Sequence, residues 1–226
     1  FKIYGMNPND DLKITRSEED YLKAMLNLTQ SGQSITTNTI ADKIHVSPPS
    51  VNSMVKKLNR KGLVKFQKYG SILFTDLGKK LATSLTRKHR LWEVFLHQKL
   101  KFNWDEVHDV AEELEHVRSE KLTQRLDEFL NFPKLDPHGD PIPGNDLKIP
   151  LIKNRILTEV AAGKNCEFSG VLEDSSRFLK DLDLLGLRLG MKMKVISSKP
   201  GFINLKCKNS KEIQIPINLA KKVYVS

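Results

Sequence analysis

The sequence predicts a multidomain α+β protein, and three observations lead to that fold class. Two short helices joined by a tight turn precede two alternating strands between residues 38 and 75, a pattern typical of a winged helix-turn-helix domain. Two long helices with apolar stripes follow, from residue 76 to about residue 131. Beyond a proline-rich break, five short strand-like stretches indicate a small β-barrel.

Composition sets the broad class of the protein. The chain has 226 residues, 39% hydrophobic and 28% charged, which is enough for two or three small domains with buried cores. No apolar run approaches the roughly 18 residues of a membrane span, and the start shows no signal-peptide pattern. Cys166 and Cys207 lie far apart and match no zinc-site spacing. We therefore expect a reducing, cytoplasmic setting and no membrane partner.

Charge is distributed unevenly along the chain, whose net charge is +10. Residues 42–69 contain seven Lys or Arg against one Asp, a net charge of +6. Residues 105–130 contain nine Asp or Glu against three Lys or Arg, a net charge of −6. This contrast predicts two ligands, one polyanionic and one cationic.

The first helix is expected to begin at Ser17 as N-cap, which gives Asp20 a possible role as the reciprocal acid of a capping box. In the helix-turn-helix, Ser47 reads as the N-cap and Pro48 as the first residue of the second helix, which Gly62 ends. Its free face and the following hairpin carry polar and basic side chains expected to contact double-stranded DNA. They are Ser47, Pro49, Ser50, Asn52, Ser53, Lys56, Lys57, Arg60, Lys65, Lys68 and Tyr69. The alternative for this unit is a small α+β domain that binds protein.

The stretch 107–118 is predicted to be helical, within a helix from residue 105 to about residue 131. His108, Glu112, Glu115 and His116 stand in it at i, i+4, i+7 and i+8, so their side chains would share one side of the helix. Two imidazoles and two carboxylates suit a borderline or hard divalent cation. The alternative is a solvated charged face, but two of the chain's six His in register with the acids favour metal.

A break between the helices and the strands occupies residues 132–150, where five of the ten prolines fall. We interpret it as a domain linker, in which His138 is incidental. The predicted domains are therefore residues 1–76, 77–144 and 145–226. The last is expected to contain strands at 156–160, 166–172, 192–197, 202–207 and 212–216, with a helix at 175–185.

Several stretches together resemble the diphtheria toxin repressor and manganese transport regulator family of metal-dependent transcriptional repressors. They are S-E-E-D-Y-L-K-A-M, I-A-D-K-I-H-V-S-P-P-S-V-N-S-M-V-K-K-L, R-K-H-R-L-W-E-V-F-L, V-H-D-V-A-E-E-L-E-H-V and H-G-D-P-I-P-G. The resemblance covers nearly the full length, because the last part is similar to the SH3-like domain of the family's longer members. It implies a homodimeric repressor that binds an operator when loaded with metal.

The resemblance also implies two metal sites. The first would comprise Asp20, Glu112, Glu115 and His116; the second would comprise His89, Glu93, His108 and an acid matched to Asp174, next to Glu173. Iron-type members are similar but carry Met and Cys where this chain has Asp20 and Glu112. Mn(II) is therefore the expected ion, with Fe(II) possible and Zn(II) or Co(II) able to bind in vitro. Lys23 stands where the short manganese regulators have a further Glu, which favours two separate sites. Arg177 stands where some members have an amide ligand, which leaves the second ligand set open.

The implied mechanism links two domains, since Asp20 lies on the first helix and the other three ligands lie on the dimer helix. One ion held by both would fix the angle between the domains. A rival class is a di-metal carboxylate enzyme, because Glu113-x-x-His116 matches its signature, but that design needs two such motifs and the chain has one. A winged-helix regulator that senses a non-metal ligand is a further alternative. Metal-stimulated operator binding would separate both from the first interpretation.

Overall fold

A computed structural model describes residues 13–67, 70–207 and 212–226, and the chain divides into two compact units. The first unit comprises the described residues up to Arg87 together with Asn145–Lys148. The second comprises Lys88–Gly144 and Ile149–Ser226. Helix α4 (Asp76–Gln98) contributes residues to both. Among the described residues, we find no helix with the length and apolar character that crossing a lipid bilayer requires.

The first unit has the predicted winged helix-turn-helix fold. Its elements are α1 (Arg16–Gln30), α2 (Thr37–Ile44), α3 (Pro48–Arg60), β1 (Val64–Phe66) and β2 (Ile72–Phe74). The two strands pair antiparallel, with Val64 opposite Phe74, and form the wing. Fully buried Met25, Ile40, Val55 and Leu58 join the three helices in one core, so helical periodicity fixed the inward faces.

Helix α1 begins earlier than the sequence indicated. Thr15 is the N-cap: its side chain accepts a hydrogen bond from the Glu18 N–H, and the Glu18 carboxylate accepts one from the Thr15 N–H at 2.7 Å. The expected cap at Ser17 is therefore wrong, because Ser17 lies inside the first turn. Asp20 consequently has no part in the capping box.

Helix α3 begins as predicted, with Ser47 as N-cap and Pro48 at the first helical position. The Ser47 hydroxyl accepts a hydrogen bond from the Ser50 N–H. The turn before it depends on His45, whose φ of 54° places it in the left-handed region and ends α2. This tight turn sets the direction in which α3 leaves the core.

The predicted single helix over residues 105–131 is instead two helices, α5 (Val107–Leu114) and α6 (Glu120–Phe129). A second helix begins after Ser119, because the Ser119 side chain accepts a hydrogen bond from the Leu122 N–H at 3.2 Å and caps it. Glu115 is therefore the C-cap of α5, with its N–H still donating to the Ala111 carbonyl at 2.9 Å, and His116 follows it.

The C-terminal part of the second unit, residues 149–226, is here called the β-domain. Its strands are β3 (Arg155–Ile156), β4 (Asn165–Val171), β5 (Lys192–Lys199), β6 (Phe202–Cys207), β7 (Glu212–Pro216) and β8 (Val223–Val225). They form one antiparallel sheet in the order β3-β8-β4-β5-β6-β7, consistent with the predicted SH3-like barrel. Helices α7 (Ser176–Leu185) and α8 (Ile217–Ala220) complete it.

Two details of the β-domain differ from the prediction. Most of the expected strand at 156–160 is a short 3-10 helix, Leu157–Glu159, closed by a hydrogen bond from the Ile156 N–H to the Glu159 carboxylate at 3.3 Å. Strand β8 was not predicted, because three residues are too few for an alternating pattern.

The proline-rich segment is folded into a loop and is not a simple linker. Hydrogen bonds from the Asp136 N–H to the Asp140 carbonyl at 3.0 Å and from the Ile142 N–H to the Lys134 carbonyl at 2.9 Å close residues 134–142. Arg90 of α4 fastens this loop by donating to the Pro141 carbonyl at 2.6 Å and to the Asp140 carboxylate at 3.0 Å. We call residues 131–144 the proline loop.

Candidate metal centre

The centre of the candidate site is the carboxylate of Glu93, which is 2% exposed. Its Oε1 atom lies 3.0 Å from Nε2 of His89, 3.5 Å from Nδ1 of His108 and 3.5 Å from Nδ1 of His138. Three imidazole nitrogens thus face one buried carboxylate oxygen. The arrangement is built by α4, which carries His89 and Glu93 one turn apart, by the first turn of α5 and by the proline loop.

The opposite nitrogens of these rings also face specific partners. Nδ1 of His89 lies 2.5 Å from Oε2 of Glu115, and Nε2 of His138 lies 2.7 Å from the Trp104 carbonyl oxygen. Metal-ligating histidines commonly donate one ring N–H to a carboxylate or carbonyl, which turns the other nitrogen toward the ion. His89 and His138 both have this geometry.

An acid of the β-domain completes the cluster. Oδ2 of Asp174 lies 3.4 Å from Nδ1 of His108. Neighbouring Glu173 is engaged elsewhere, in an ion pair with Lys222 and a hydrogen bond from the Ser175 hydroxyl at 2.5 Å. The structure therefore brings Asp174, the position matched on sequence, to the candidate site.

Two residues that sequence reasoning missed also border Glu93. Ligand atoms of Glu93, Asp136 and His138 lie within 4.8 Å of one another, as do those of His89, Glu93 and His108. His138, which the sequence analysis took as incidental to a linker, is a buried residue that is 4% exposed, and both its ring nitrogens face partners. The available signal was an Asp and a His two residues apart in a short Pro/Gly segment, which supplies two donors from one loop.

Electrostatics in the cluster favour positive charge. Burial raises the pKa of Glu93, but the charge of His89 and the nearby imidazoles of His89 and His108 outweigh it and hold the pKa well below its usual range. Burial lowers the pKa of His108, but the neighbouring carboxylates of Glu112, Glu93 and Asp174 raise it to about 10. Burial and the charge of Glu93 raise the pKa of Asp136 well above its usual range. Protons thus supply the positive charge that a divalent cation would otherwise supply.

The residues fit a divalent cation. Nδ1 of His108 is buried and forms no hydrogen bond of good geometry within the described part of the chain, although two carboxylate oxygens lie 3.4 and 3.5 Å away. An ion placed among these atoms would satisfy the nitrogen and both acids. Oxygen and nitrogen donors suit Mn(II), Fe(II) and Zn(II).

The other expected site draws on both units. Asp20 lies on α1 of the first unit, whereas Glu112, Glu115 and His116 belong to the second. Glu115 is fully buried, and Glu112 lies 3.4 Å from Nε2 of His108. That the four residues share an ion remains a prediction from the resemblance.

The residues expected to contact DNA are largely exposed on α3 and the wing. Exposed side chains are Ser47, Pro49, Ser50, Asn52, Ser53, Lys56, Arg60 and Lys65. Lys57 differs, because its Nζ atom lies 3.3 Å from Oε1 of buried Glu18 and the side chain is partly covered. Lys68 and Tyr69 lie outside the described residues.

A winged helix-turn-helix with a basic exposed helix, in one chain with a buried oxygen and nitrogen donor cluster, defines a metal-responsive DNA-binding class of protein. Comparison with family models supports this class. Residues 13–72 match the iron dependent repressor N-terminal DNA-binding domain, and residues 75–144 match the iron dependent repressor metal-binding and dimerisation domain.

Individual relatives agree with these domain matches. The iron-dependent repressor IdeR of Mycobacterium tuberculosis is 35% identical over 132 residues, 58% of this chain and 57% of that protein. The diphtheria toxin repressor of Corynebacterium diphtheriae is 35% identical over 133 residues, 59% of each protein. The chain thus spans less than two thirds of the length of these curated relatives.

Solved structures extend the similarity to nearly the whole chain. A manganese-dependent transcriptional repressor in complex with manganese is 32% identical with a TM-score of 0.83, covering 92% of this chain and 98% of that one. The manganese regulator SloR is 34% identical with a TM-score of 0.74, covering 94% and 99%. The chain therefore belongs to the diphtheria toxin repressor family of metal-dependent repressors.

Proposed function

We propose that the protein is a metal-dependent transcriptional repressor of the cytoplasm that controls metal-ion homeostasis. It binds a palindromic operator as a homodimer when loaded with Mn(II) or Fe(II). The observation that carries this proposal is the convergence of three imidazole nitrogens on Glu93 in a chain that also has an exposed basic recognition helix. We also propose the three-domain division at residues 1–76, 77–144 and 145–226.

Operator contact is assigned to α3 and the wing. Asn52 and Ser53 are exposed near the start of α3, where base edges come within reach of a helix in the major groove. Lys56, Arg60 and Lys65 are exposed farther along and suit phosphate contacts. Asn52 and Ser53 would thus provide sequence specificity, whereas the three basic side chains would provide affinity for any DNA sequence.

Dimerisation is assigned to the surface around α6. Phe129 is 61% exposed, Phe132 52%, Leu135 43% and Leu122 41% in the single chain. Large apolar side chains concentrated along one short stretch are typical of a protein–protein interface. In a two-fold dimer the recognition helices would read half-sites about 34 Å apart.

The second metal site is assigned to Glu93 and the donors around it. His89, His108 and Asp174 form one ligand set with Glu93, and Asp136 and His138 form an overlapping one. Arg90 Nε lies 3.5 Å from Oδ2 of Asp136 and compensates part of its charge. A divalent ion bound there would supply positive charge to ligands from α4, α5, the proline loop and the β-domain.

The first site is assigned to Asp20, Glu112, Glu115 and His116, as the family resemblance implies. Its ligands come from α1 of the DNA-binding domain and from the end of α5. Ion binding would then select the domain arrangement that binds DNA, and by linkage DNA would raise the affinity for the ion by the same factor.

Manganese is the proposed physiological ion, with Fe(II) as the second choice. The proposed ligands are carboxylates and imidazoles, which suit Mn(II) better than a thiolate-containing site would. The enzyme alternative is not supported, because that design needs two Glu-x-x-His motifs, the sequence has one, and its His116 lies beyond the end of α5.

The proposal is tested by selecting DNA from a random pool with Mn(II)-loaded protein and then measuring affinity for the selected sequence. We expect tight, sequence-specific binding with Mn(II) and its loss on chelation. Selection of the same sequence with equal affinity by chelated protein would refute metal dependence.

The variants His89→Phe and His138→Phe test the two proposed ligand sets of the second ion separately, because each variant removes one donor from only one set. We expect both variants to bind the second Mn(II) more weakly, and the larger loss of affinity identifies the set that contributes more. Two ions bound with unchanged affinity in both variants would place the second site elsewhere.

A further inference from the structure

Trp104 lies in the loop between α4 and α5, yet its indole belongs to the core of the β-domain. The side chain is 9% exposed and packs edge-on against Phe168 of β4, with ring centroids 6.5 Å apart. Its Nε1–H donates to Oδ2 of Asp183 on α7 at 2.8 Å. The adjacent Asp105 continues this contact, with Oδ2 3.0 Å from the Ser176 hydroxyl. The indole therefore anchors the helical part of the second unit in the β-domain.

The backbone of the same residue acts on His138. A carbonyl oxygen only accepts hydrogen bonds, so the 2.7 Å contact with the Trp104 carbonyl places the ring proton of His138 on Nε2. In a metal-bound form, Nδ1 would then supply its lone pair on the side that holds Glu93, 3.5 Å away. The two rings also stack, with centroids 6.3 Å apart and an interplanar angle of 25°.

The β-domain also contacts the backbone of His138 and Gly139. The His138 carbonyl accepts a hydrogen bond from the Val171 N–H at 3.0 Å. Gly139 has a φ of 88°, and a Cβ atom there would lie 2.2 Å from the Ser169 carbonyl oxygen. Pairing of β4 with β8 is irregular between Phe168 and Gly170, at the strand segment where the proline loop approaches. This close approach fixes the backbone that carries the imidazole.

We propose that Trp104 is a positioning residue for the second metal site. Docking of its indole in the β-domain fixes the tautomer and direction of His138, so docking and ion binding at Glu93 strengthen each other. This inference rests on the proposed function, because it requires an ion at Glu93. A positioning role for Trp104 differs from a purely structural one, because a structural anchor would stabilise the β-domain without changing the affinity for the ion.

The test uses full-length protein and Mn(II) as the probe. Trp104→Phe keeps an aromatic ring in the core but removes the N–H donor, and Asp183→Ala removes the acceptor while leaving Trp104 in place. We expect each variant to bind the second Mn(II) about tenfold more weakly, the scale typical of residues that orient a metal ligand. Trp92→Phe is the matched control, because Trp92 lies on α4 and packs against clusters that contain no residue of the β-domain, and this variant should bind both ions normally.

A second readout shows that the effect passes through His138. Combining Trp104→Phe with His138→Gln should cost less than the sum of the single losses, whereas combining it with Asp174→Asn should give additive losses. Amide exchange should also show that Mn(II) protects α7 in the wild type and protects it less in Trp104→Phe.

The outcomes separate the inference from the proposed function. If the wild type binds two ions and Trp104→Phe binds the second equally tightly, the inference is overturned and the proposed function stands. Additive losses with His138→Gln overturn it as well. If the wild type binds no ion at Glu93, the second site and this inference fail together.

Discussion

His89 joins two buried carboxylates, with its Nδ1 2.5 Å from Oε2 of Glu115 and its Nε2 3.0 Å from Oε1 of Glu93. Glu93 is the centre of the proposed second site, and Glu115 is a proposed ligand of the first. A cation bound near Nε2 polarises the imidazole and strengthens the Nδ1–H as a donor. The two proposed sites are thus connected by one ring.

Because His89 contacts both carboxylates, we expect His89→Phe to weaken the binding of both Mn(II) ions. The second Mn(II) loses a ligand, and Glu115 loses the donor that orients its carboxylate for the first. We expect at least a tenfold loss at the second site and a smaller loss at the first, measured by calorimetric titration. His97→Phe, farther along α4, is the control. Unchanged affinity at the first site would disprove the connection.

Substitutions at Asp20 and Thr15 test metal binding and helix capping on α1 separately. Because Thr15 and Glu18 form the capping box, Asp20→Asn should leave thermal stability nearly unchanged and abolish Mn(II)-stimulated DNA binding. Thr15→Ala should do the reverse, costing about 1 kcal/mol of stability with activation retained. Full activation of Asp20→Asn by Mn(II) would remove Asp20 from the ligand set.

Glu18 predicts a specific pH dependence of stability. Burial raises the pKa of Glu18, but hydrogen bonds from Lys61, Thr15 and Lys57 outweigh it and lower the pKa from 4.5 to about 2. Since the folded-state pKa is lowered, its stabilisation is present above pH 4.5 and is lost as pH falls from about 4.5 to about 2. Glu18→Gln should therefore lower the unfolding free energy by on the order of 2 kcal/mol at pH 6. The difference in unfolding free energy between the wild type and Glu18→Gln should decrease toward pH 3. A difference that does not change with pH would contradict the lowered pKa of Glu18.

The basic residues of α3 should differ in their effect on DNA binding. Lys56→Ala should weaken binding to all sequences and lower the salt slope by about one unit, because it removes one phosphate contact. We expect the same of Lys68→Ala. Lys57→Ala should change the salt slope less, since its ammonium lies 3.3 Å from Glu18. Asn52→Ala should mainly relax sequence preference, and equal salt slopes for the Lys56 variant and the wild type would exclude Lys56 from the phosphate contacts.

Metal selectivity is predicted to depend on Glu112. Zn(II) should bind more tightly than Mn(II), as the Irving–Williams order requires, but activate DNA binding less per site filled because it prefers four ligands. Glu112→Cys should shift activation toward Fe(II), Co(II) and Zn(II). Operator binding at fixed free-metal concentrations tests this, and equal activation of both proteins by Mn(II) would show that Glu112 does not set selectivity.

Sequence reasoning succeeded where the determinants are local. The cap at Ser47, Pro48 and the apolar spacing of α3 predicted the recognition helix directly. The grouping of His89, Glu93 and His108 was predicted from the family resemblance alone. It failed at His138 and Asp136, whose burial depends on Arg90 fastening a loop about 50 residues away in sequence. Trp104 was missed for the same reason, since nothing near it in sequence reveals the core that it enters.

The most direct test of the account is reciprocal linkage between metal and DNA. Mn(II) affinity is measured with and without a saturating amount of the selected operator, and operator affinity is measured with and without Mn(II). We expect both affinities to rise by the same factor, and we expect Asp20→Asn to remove the rise. Identical Mn(II) affinity with and without operator would show that the metal does not control DNA binding in this protein.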